Sequence, residues 1–392
     1  MAAHTFPCGP GDGRPAGTAS AGKAVYLFFY AASASLLPVL TLYYESVGLA
    51  GGQVGILAAL WPAGSVVGAA TWAAIADSTG RHRRVLVATI LSSIAAAQLF
   101  RLGAGFWSLL PVALGLAFAS SPIMPLVDNS VLESLGEDRP RYGRVRLWGA
   151  VGWGLSAPLV GLAIDRVDLG IVFPVYGVLM ALTLAATIRL PVTTMGSGVD
   201  VRAGLRLMAS DRRWLLFLTI VLTNGAGGAF THHYLFIYMN AIGSSGLLRG
   251  LALAASTVSE LVVFALAHRF LRRYGSRRLL IAALAVTSVR LFLNSVIAVP
   301  ELVLLPQLLH GITFSLFLVA GVTYAQEIAP EGMGATAQSI FTSTNMGIGG
   351  IVGALLGGYL YELFGIQQMF LAAALMTGAA TLIFLPVFRN RR

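Results

Sequence analysis

The chain has 392 residues, of which 57% are hydrophobic and only 11% are charged, and its mean hydropathy is +0.79. A soluble domain carries close to a quarter of charged residues, so this composition excludes a water-soluble globular protein and indicates a membrane protein. The net charge of +10 does not indicate nucleic-acid binding, because the basic residues are distributed as in a membrane topology.

Apolar stretches long enough to cross a bilayer recur along the whole sequence. They predict twelve transmembrane helices, roughly at 24–44, 53–76, 85–104, 107–132, 146–164, 169–190, 214–240, 247–268, 278–298, 301–326, 334–360 and 366–388. Of the 26 Lys and Arg residues, 21 fall on the side that holds both termini and three on the other side. The positive-inside rule therefore predicts cytoplasmic termini in a multi-pass protein of the cell membrane.

The sequence repeats itself at an offset of 195 residues. The matched pairs are Gly80 with Gly275, Pro111 with Pro306, Gly152 with Gly347 and Gly154 with Gly349. The predicted segments are a disordered tail (1–22), a six-helix half (23–190), a cytoplasmic linker (191–213), a second half (214–388) and a basic tail (389–392). The expected fold is all-α and integral to the membrane, with two pseudo-symmetric halves that enclose a site near the midplane.

In the first half, two charged residues are predicted to lie at one depth. Asp128 and Arg146 are each nine positions from Glu137, in the turn between their spans. Trp153 follows Arg146 by seven residues and shares its helix face. A lone charge at mid-bilayer costs roughly 3 kcal/mol, so the two charges either form a structural salt bridge or face a polar cavity.

The second half repeats this arrangement near the middle of the membrane. Glu260 and Arg290 are each 15 positions from Gly275, and Arg290 and His310 are each 10 positions from Pro300. The same alternatives apply, and two acid–base pairs with a histidine favour a cavity that binds a small solute. A guanidinium can bind a carboxylate or vicinal hydroxyls, and a carboxylate in a low-dielectric cavity can exchange protons.

Helix 7 carries further polar residues. Asn224, about ten residues into the span, either lines the cavity or hydrogen-bonds across helices. His232 and His233 lie near the outer end with Tyr234 and Tyr238, and this composition predicts an interfacial belt rather than a metal site. With Cys8 as the single cysteine, the sequence also gives no disulfide framework and no thiol metal site.

These residues resemble those of the major facilitator superfamily. The stretch "YGRVRLWGAVGWGLSAPLVG" is similar to the fifth helix of lactose permease, while "PLVD", "VSELVVFAL" and "LLHGITF" resemble the phenylpropionate-permease-like branch. The resemblance implies the major facilitator fold. It places the sugar-site arginine at Arg146, the stacking tryptophan at Trp153, the acidic ligand at Asp128, and the remaining acidic, basic and histidine positions at Glu260, Arg290 and His310.

The sequence departs from lactose permease at the proton step. Thr313 stands one turn from His310, where lactose permease has its proton-releasing carboxylate, and Gln307 replaces a lysine. If the protein is coupled to protons, the proton is expected on Glu260 or Asp128, with His310 as a partner.

The stretch "AAIADSTGRHRR" resembles the family motif between helices 2 and 3, at Asp77, Gly80 and Arg81. The resemblance implies a gate that latches the halves on the inside; the alternative is a solvated basic turn. Ala73 stands where glycine is usual, and the second copy has Arg272 in place of Asp77.

The leading hypothesis is a secondary transporter that moves an aromatic or other organic acid by alternating access, with protons as the coupled ion. A sugar or nucleoside symporter and a uniporter without proton coupling are the alternatives within this class. An intramembrane enzyme would need a nucleophile motif or a metal cluster, and a sensor would need a large cytoplasmic segment. No complete phosphate-binding "GxxxxGK[ST]" motif occurs, so no ATP or other cofactor is expected. Besides solute, protons and lipid, no partner is predicted, and nothing in the sequence requires more than a monomer.

Overall fold

The computed structural model describes residues 17–103, 105–135, 141–190, 211–331 and 333–389. Within these ranges the chain forms twelve helices that are long and apolar enough to cross a membrane, which confirms the predicted all-α architecture. In chain order they are α1 (Gly17–Ser46), α2 (Gly51–Thr79), α3 (His82–Leu102), α4 (Phe106–Leu135), α5 (Tyr142–Arg166), α6 (Leu169–Thr187), α7 (Arg212–Ala241), α8 (Gly246–Tyr274), α9 (Ser276–Val296), α10 (Pro300–Ile328), α11 (Gly334–Phe364) and α12 (Ile366–Arg389).

Two helices begin earlier than the predicted segment boundaries. Helix α1 starts at Gly17, inside the stretch predicted as a tail, and α7 starts at Arg212, inside the predicted linker. Both extensions are polar or small residues that continue the helical hydrogen bonding beyond the apolar span, so hydropathy does not report them. Residues 1–16, 191–210 and 390–392, which include most of the predicted tail and linker, lie outside the described residues.

The two halves have a glycine with positive φ at equivalent turns, although the ψ angles of the two glycines differ (14° and 160°). Gly80 ends α2 with φ of 62°, and Gly275 joins α8 to α9 with φ of 75°. Residues that carry a Cβ atom are strained at positive φ, so the repeat preserves glycine at both turns.

Glycines also bring equivalent helices into backbone contact within each half. Gly152 on α5 packs against the backbone of Leu27 on α1. Gly349 on α11 packs against Gly225 on α7, which is the corresponding helix pair of the second half. Small residues at such crossings allow transmembrane helices to approach closely.

The halves contact each other at one end of the bundle. We call the end at which α1 begins and α12 ends the terminal end, and the opposite end the distal end. At the distal end, Gly55 on α2 lies against Gly358 on α11, and Gly161 on α5 lies against Gly246 on α8. Backbone meets backbone at both crossings, with no side chain between them.

Two carboxylates reinforce this closure, and we call their contacts the distal clasps. Asp165, at the end of α5, accepts hydrogen bonds from the backbone amides of Gly246 (2.6 Å) and Leu247 (2.9 Å) at the start of α8. Glu362, at the end of α11, accepts one from the amide of Gly52 (2.7 Å) at the start of α2. Each clasp places an anion at the N-terminus of a helix in the opposite half, where the helix dipole favours negative charge.

Toward the terminal end the halves separate. One hydrophobic cluster runs through the first half and reaches into the distal part of the second half, at Tyr234 and Phe370. A separate cluster around Phe217 and Phe341 fills the terminal part of the second half. The hydrogen bonds seen between the halves, including Thr41 Oγ1 to the carbonyl of His233 (2.5 Å), all lie on the distal side. In the part of the chain that the structure describes, the bundle is therefore closed at the distal end and open between the halves toward the terminal end.

Candidate functional site

A buried arginine organises the polar side chains of the second half. Arg290 on α9 has only 5% of its surface exposed. Its guanidinium donates to Gln307 Oε1 at 2.6 Å and to Thr313 Oγ1 at 3.2 Å, and it lies 2.9 Å from His310 Nδ1. Because a guanidinium has only donors, Nδ1 of His310 accepts this bond, and the ring proton of the neutral imidazole lies on Nε2.

His310 connects this arginine to Glu260, the acidic residue at the same depth. We call the charged and polar residues at this depth, between the two halves, the layer. The Nε2 atom of His310 lies 3.9 Å from Glu260 Oε2, and both side chains are about a quarter exposed, at 27% and 28%. The structure thus brings together Glu260, Arg290 and His310, the three residues that the sequence predicts at one depth. The direct Glu260–Arg290 ion pair considered from the sequence does not form, because the imidazole lies between the two charges.

An irregular helix segment positions these groups. His310 immediately precedes the π-helical residues Gly311–Leu316, and π turns are frequent at functional sites. Within this segment the Thr313 hydroxyl donates to the carbonyl of His310 (3.2 Å), and the Thr313 carbonyl accepts a bond from Asn224 Nδ2 (3.4 Å). Asn224 also accepts a bond from Thr287 (3.0 Å) and is 5% exposed. Of its two predicted roles, the structure places Asn224 in bonds between helices, behind the layer.

In the first half, tyrosines of α1 contact the two predicted charges. Asp128 is half-buried and accepts a hydrogen bond of 2.5 Å from the Tyr26 hydroxyl. Arg146 is exposed and donates to the Tyr30 hydroxyl at 3.1 Å. Among the described residues, no carboxylate lies within 4.0 Å of the Arg146 guanidinium, so the Asp128–Arg146 salt bridge is not formed.

The two clusters face each other across the opening between the halves. Arg146 lies near enough to Glu260 for their charges to interact, and Tyr30 is also near Glu260. Trp153 lies two turns distal to Arg146 on α5 and is half-buried. A solute between the halves would meet a guanidinium on one side and a carboxylate with a histidine on the other. The described residues hold no group of three or more His, Cys, Asp or Glu that could bind a metal ion.

The motif between α2 and α3 stays within the first half in this conformation. Asp77 Oδ1 lies 3.0 Å from His82 Nε2, and the exposed Arg81 follows the left-handed Gly80. The hydrogen bonds described for this motif include none to the second half. The latch that the resemblance implies would belong to a conformation in which the terminal end is closed.

The prediction of an interfacial belt on α7 is wrong. Tyr234 and Tyr238 are fully buried and donate hydrogen bonds to the carbonyls of Ala354 (2.6 Å) and Ile297. His232 and His233 line a cavity between the halves instead of facing lipid. The reason is that α7 packs against both its own half and α1, which leaves little of its distal part to contact lipid.

Sequence reasoning also missed residues that the structure shows to support the layer. Tyr26 and Tyr30 come from α1, a helix without a charged residue at this depth, and no local pattern marks them. The sequence shows Gln307 only as a replacement for a lysine, although its side-chain carbonyl oxygen accepts the shortest hydrogen bond of Arg290. Its position one turn before His310 was a signal for that contact.

Comparisons with known proteins give a consistent family. The model of the MFS_1 like family matches residues 21–372. The maltose permease of Geobacillus stearothermophilus is 25% identical over 380 residues, which cover 95% of this chain and 96% of that protein. The probable 3-phenylpropionic acid transporter of Escherichia coli (strain K12) is 26% identical over 361 residues, covering 88% and 90%. The crystal structure of the nucleoside transporter NupG matches with a TM-score of 0.84 at 19% identity and covers 95% of this chain and 100% of that chain, a likeness of fold alone.

Proposed function

The chain belongs to the MFS_1 like family, and on that premise we propose that it is a proton symporter for a small aromatic or other organic acid. Its family and its relatives are transporters of small solutes, so it is a transporter and not an enzyme. The proposal concerns the solute, the coupled proton, and the cell membrane with cytoplasmic termini.

The choice of an organic acid as the solute rests on the exposure and the partners of Arg146. Its guanidinium is exposed in the opening between the halves, bonds a neutral tyrosine, and has no carboxylate within 4.0 Å among the described residues. A guanidinium binds a carboxylate in bidentate fashion, and a charged group at this depth needs such a partner. The 3-phenylpropionic acid transporter among the relatives supports an aromatic acid.

The coupled proton is assigned to Glu260. This carboxylate is partly exposed to the opening, lies near Arg146, and has the Nε2 of His310 at 3.9 Å. Arg290 fixes the orientation of that imidazole through Nδ1. Protonation of Glu260 would remove its attraction for Arg146 and leave that guanidinium to the solute anion, which links the two binding events.

The closed distal end and the open terminal end support alternating access. With cytoplasmic termini, as the distribution of arginines predicts, the opening faces the cytoplasm. Rocking of the two halves about the central layer would break the distal clasps and expose the same layer to the outside.

A sugar is the second candidate. Asp128 and Trp153 offer a carboxylate and a ring face, which bind sugar hydroxyls and the apolar side of a pyranose. The maltose permease among the relatives supports this alternative.

The test is solute-driven proton flux into proteoliposomes that contain a pH-sensitive dye. The panel comprises 3-phenylpropionate, a nucleoside and maltose. The variants are Glu260→Gln and, as a matched control, Glu301→Gln at the exposed start of α10. We expect 3-phenylpropionate to acidify liposomes with the wild type and the control, and Glu260→Gln to abolish acidification while labelled acid still exchanges.

The other outcomes separate the alternatives. Acidification by maltose alone would establish the sugar. Equilibration of labelled acid without acidification in the wild type would establish a uniporter and remove Glu260 from any coupling role.

A further inference from the structure

A second cavity lies on the distal side of the charged layer, and we call it the distal pocket. Its walls are mostly apolar side chains of the first half, among them Leu37, Leu57 and Trp61, with the hydroxyl-bearing Thr41 and Tyr44 beside them. The other side holds His232 and His233 of α7. In this conformation it has room for roughly two water molecules, so it fits a small substituent and not a whole ring.

The pocket adjoins the layer that binds the solute. His232 lies near enough to His310 for the two rings to interact electrostatically, and its ring is 5.0 Å from that of His233, centroid to centroid. Thr41 on α1 anchors this turn of α7 through the carbonyl of His233. His232 thus stands above the layer, between the solute position and the pocket.

His232 has polar atoms without a protein partner. Neither ring nitrogen forms a hydrogen bond among the described residues, although the ring is exposed to the cavity. A neutral imidazole offers one N–H donor and one acceptor nitrogen, which together match a hydroxyl group. Apolar walls with one or two convergent polar groups are the usual make-up of a small-molecule site.

We propose that the distal pocket is a subsite for a hydroxyl substituent at the uncharged end of the solute, with His232 as its hydrogen-bond partner. This inference rests on the proposed function, because it assumes an organic anion whose carboxylate is bound in the layer. It narrows the solute class to aromatic acids with a ring hydroxyl opposite the carboxylate-bearing chain.

The experiment compares uptake of 3-phenylpropionate and 3-(4-hydroxyphenyl)propionate into proteoliposomes. The wild type is expected to have the higher apparent affinity for the hydroxylated acid. In His232→Leu this preference, taken as the ratio of the two apparent affinities of that variant, should fall about fivefold, the order of one neutral hydrogen bond. His232→Gln, which can still donate and accept, should retain the preference, and His268→Leu, at the exposed terminal end of α8, is the control.

Uptake of 3-phenylpropionate serves as the internal measure of folded, active protein in every variant. A preference that is the same in His232→Leu and the wild type would overturn the subsite and leave the proposed function intact. Failure of the wild type to take up either acid would overturn the proposed function and the subsite with it.

Discussion

The distal clasps lead to a prediction about the balance between the two conformations. Asp165 accepts two hydrogen bonds from backbone amides of α8, and Glu362 accepts one from α2. A hydrogen bond to a charged group contributes about 1.5–3 kcal/mol when the partner cannot be replaced. Here the amide of Leu247 is exposed, and water can reach the carboxylate once the halves part, so we expect a net effect of about 1–2 kcal/mol for Asp165→Ala.

That free energy corresponds to a roughly 5- to 30-fold rise in the ratio of the distally open to the distally closed conformation. Glu362→Gln removes the charge from a single bond and keeps an acceptor, so its effect should be smaller than that of Asp165→Ala. Electron–electron double resonance between spin labels on the distal face measures this ratio. Labels at Leu102 and Val299 suit it, because both are exposed at the distal end and lie in opposite halves. The natural Cys8 would first be replaced by serine.

Asp168→Asn is the matched control. Asp168 lies three residues after Asp165, but it accepts its hydrogen bond from Gly170 of its own half, at 2.6 Å. The reasoning is refuted if Asp165→Ala has the distance distribution of the parent protein, or if Asp168→Asn widens it equally.

Two further variants test other contacts of the structure. Gln307→Leu removes the acceptor that lies 2.6 Å from the buried Arg290, so we expect a loss of about 1–3 kcal/mol in stability, measured as a lower melting temperature in detergent. Gln307→Glu keeps an acceptor and should not lower the melting temperature. Equal melting temperatures of Gln307→Leu and the wild type would contradict the role of Gln307 as the partner of Arg290. A leucine at position 161 has no room beside the carbonyl of Gly246, so Gly161→Leu should prevent closure of the distal end. We expect this variant to lose uptake and to show a long distance between the spin labels at the distal end. Gly115→Leu, on a face of α4 with nothing within 4 Å, is the control and should transport normally.

The depth of the charged layer could be predicted because it depends only on the length of hairpins. Counting residues from Gly275 and Pro300 places Glu260, Arg290 and His310 at one level, whatever their side chains then do. The paired glycine turns follow for the same reason, since a repeat in the sequence implies a repeat in the fold. These predictions needed no knowledge of which faces meet.

The partners within the layer could not be predicted, because they depend on rotation about helix axes. The π segment after His310 changes that rotation by an amount that no residue pattern announced. Tyr26 reaches Asp128 on α4, and Tyr30 reaches Arg146 on α5, only because α1 packs against both helices. The sequence predicts an interfacial belt at the histidines of α7, because sequence position gives depth in the membrane but not whether a helix is surrounded by others.

The charged residues of the central layer have an electrical consequence. The layer contains two arginines, Arg146 and Arg290, and two carboxylates, Asp128 and Glu260. When all four are ionised their charges cancel, so a conformational change of the empty carrier moves no net charge of this layer across the membrane potential. Each elementary charge that crosses 100 mV changes the free energy by about 2.3 kcal/mol. An organic anion that travels with one proton adds no charge, and its transport would be indifferent to voltage. A neutral sugar that travels with one proton adds one elementary charge, so each transport cycle would carry an electric current.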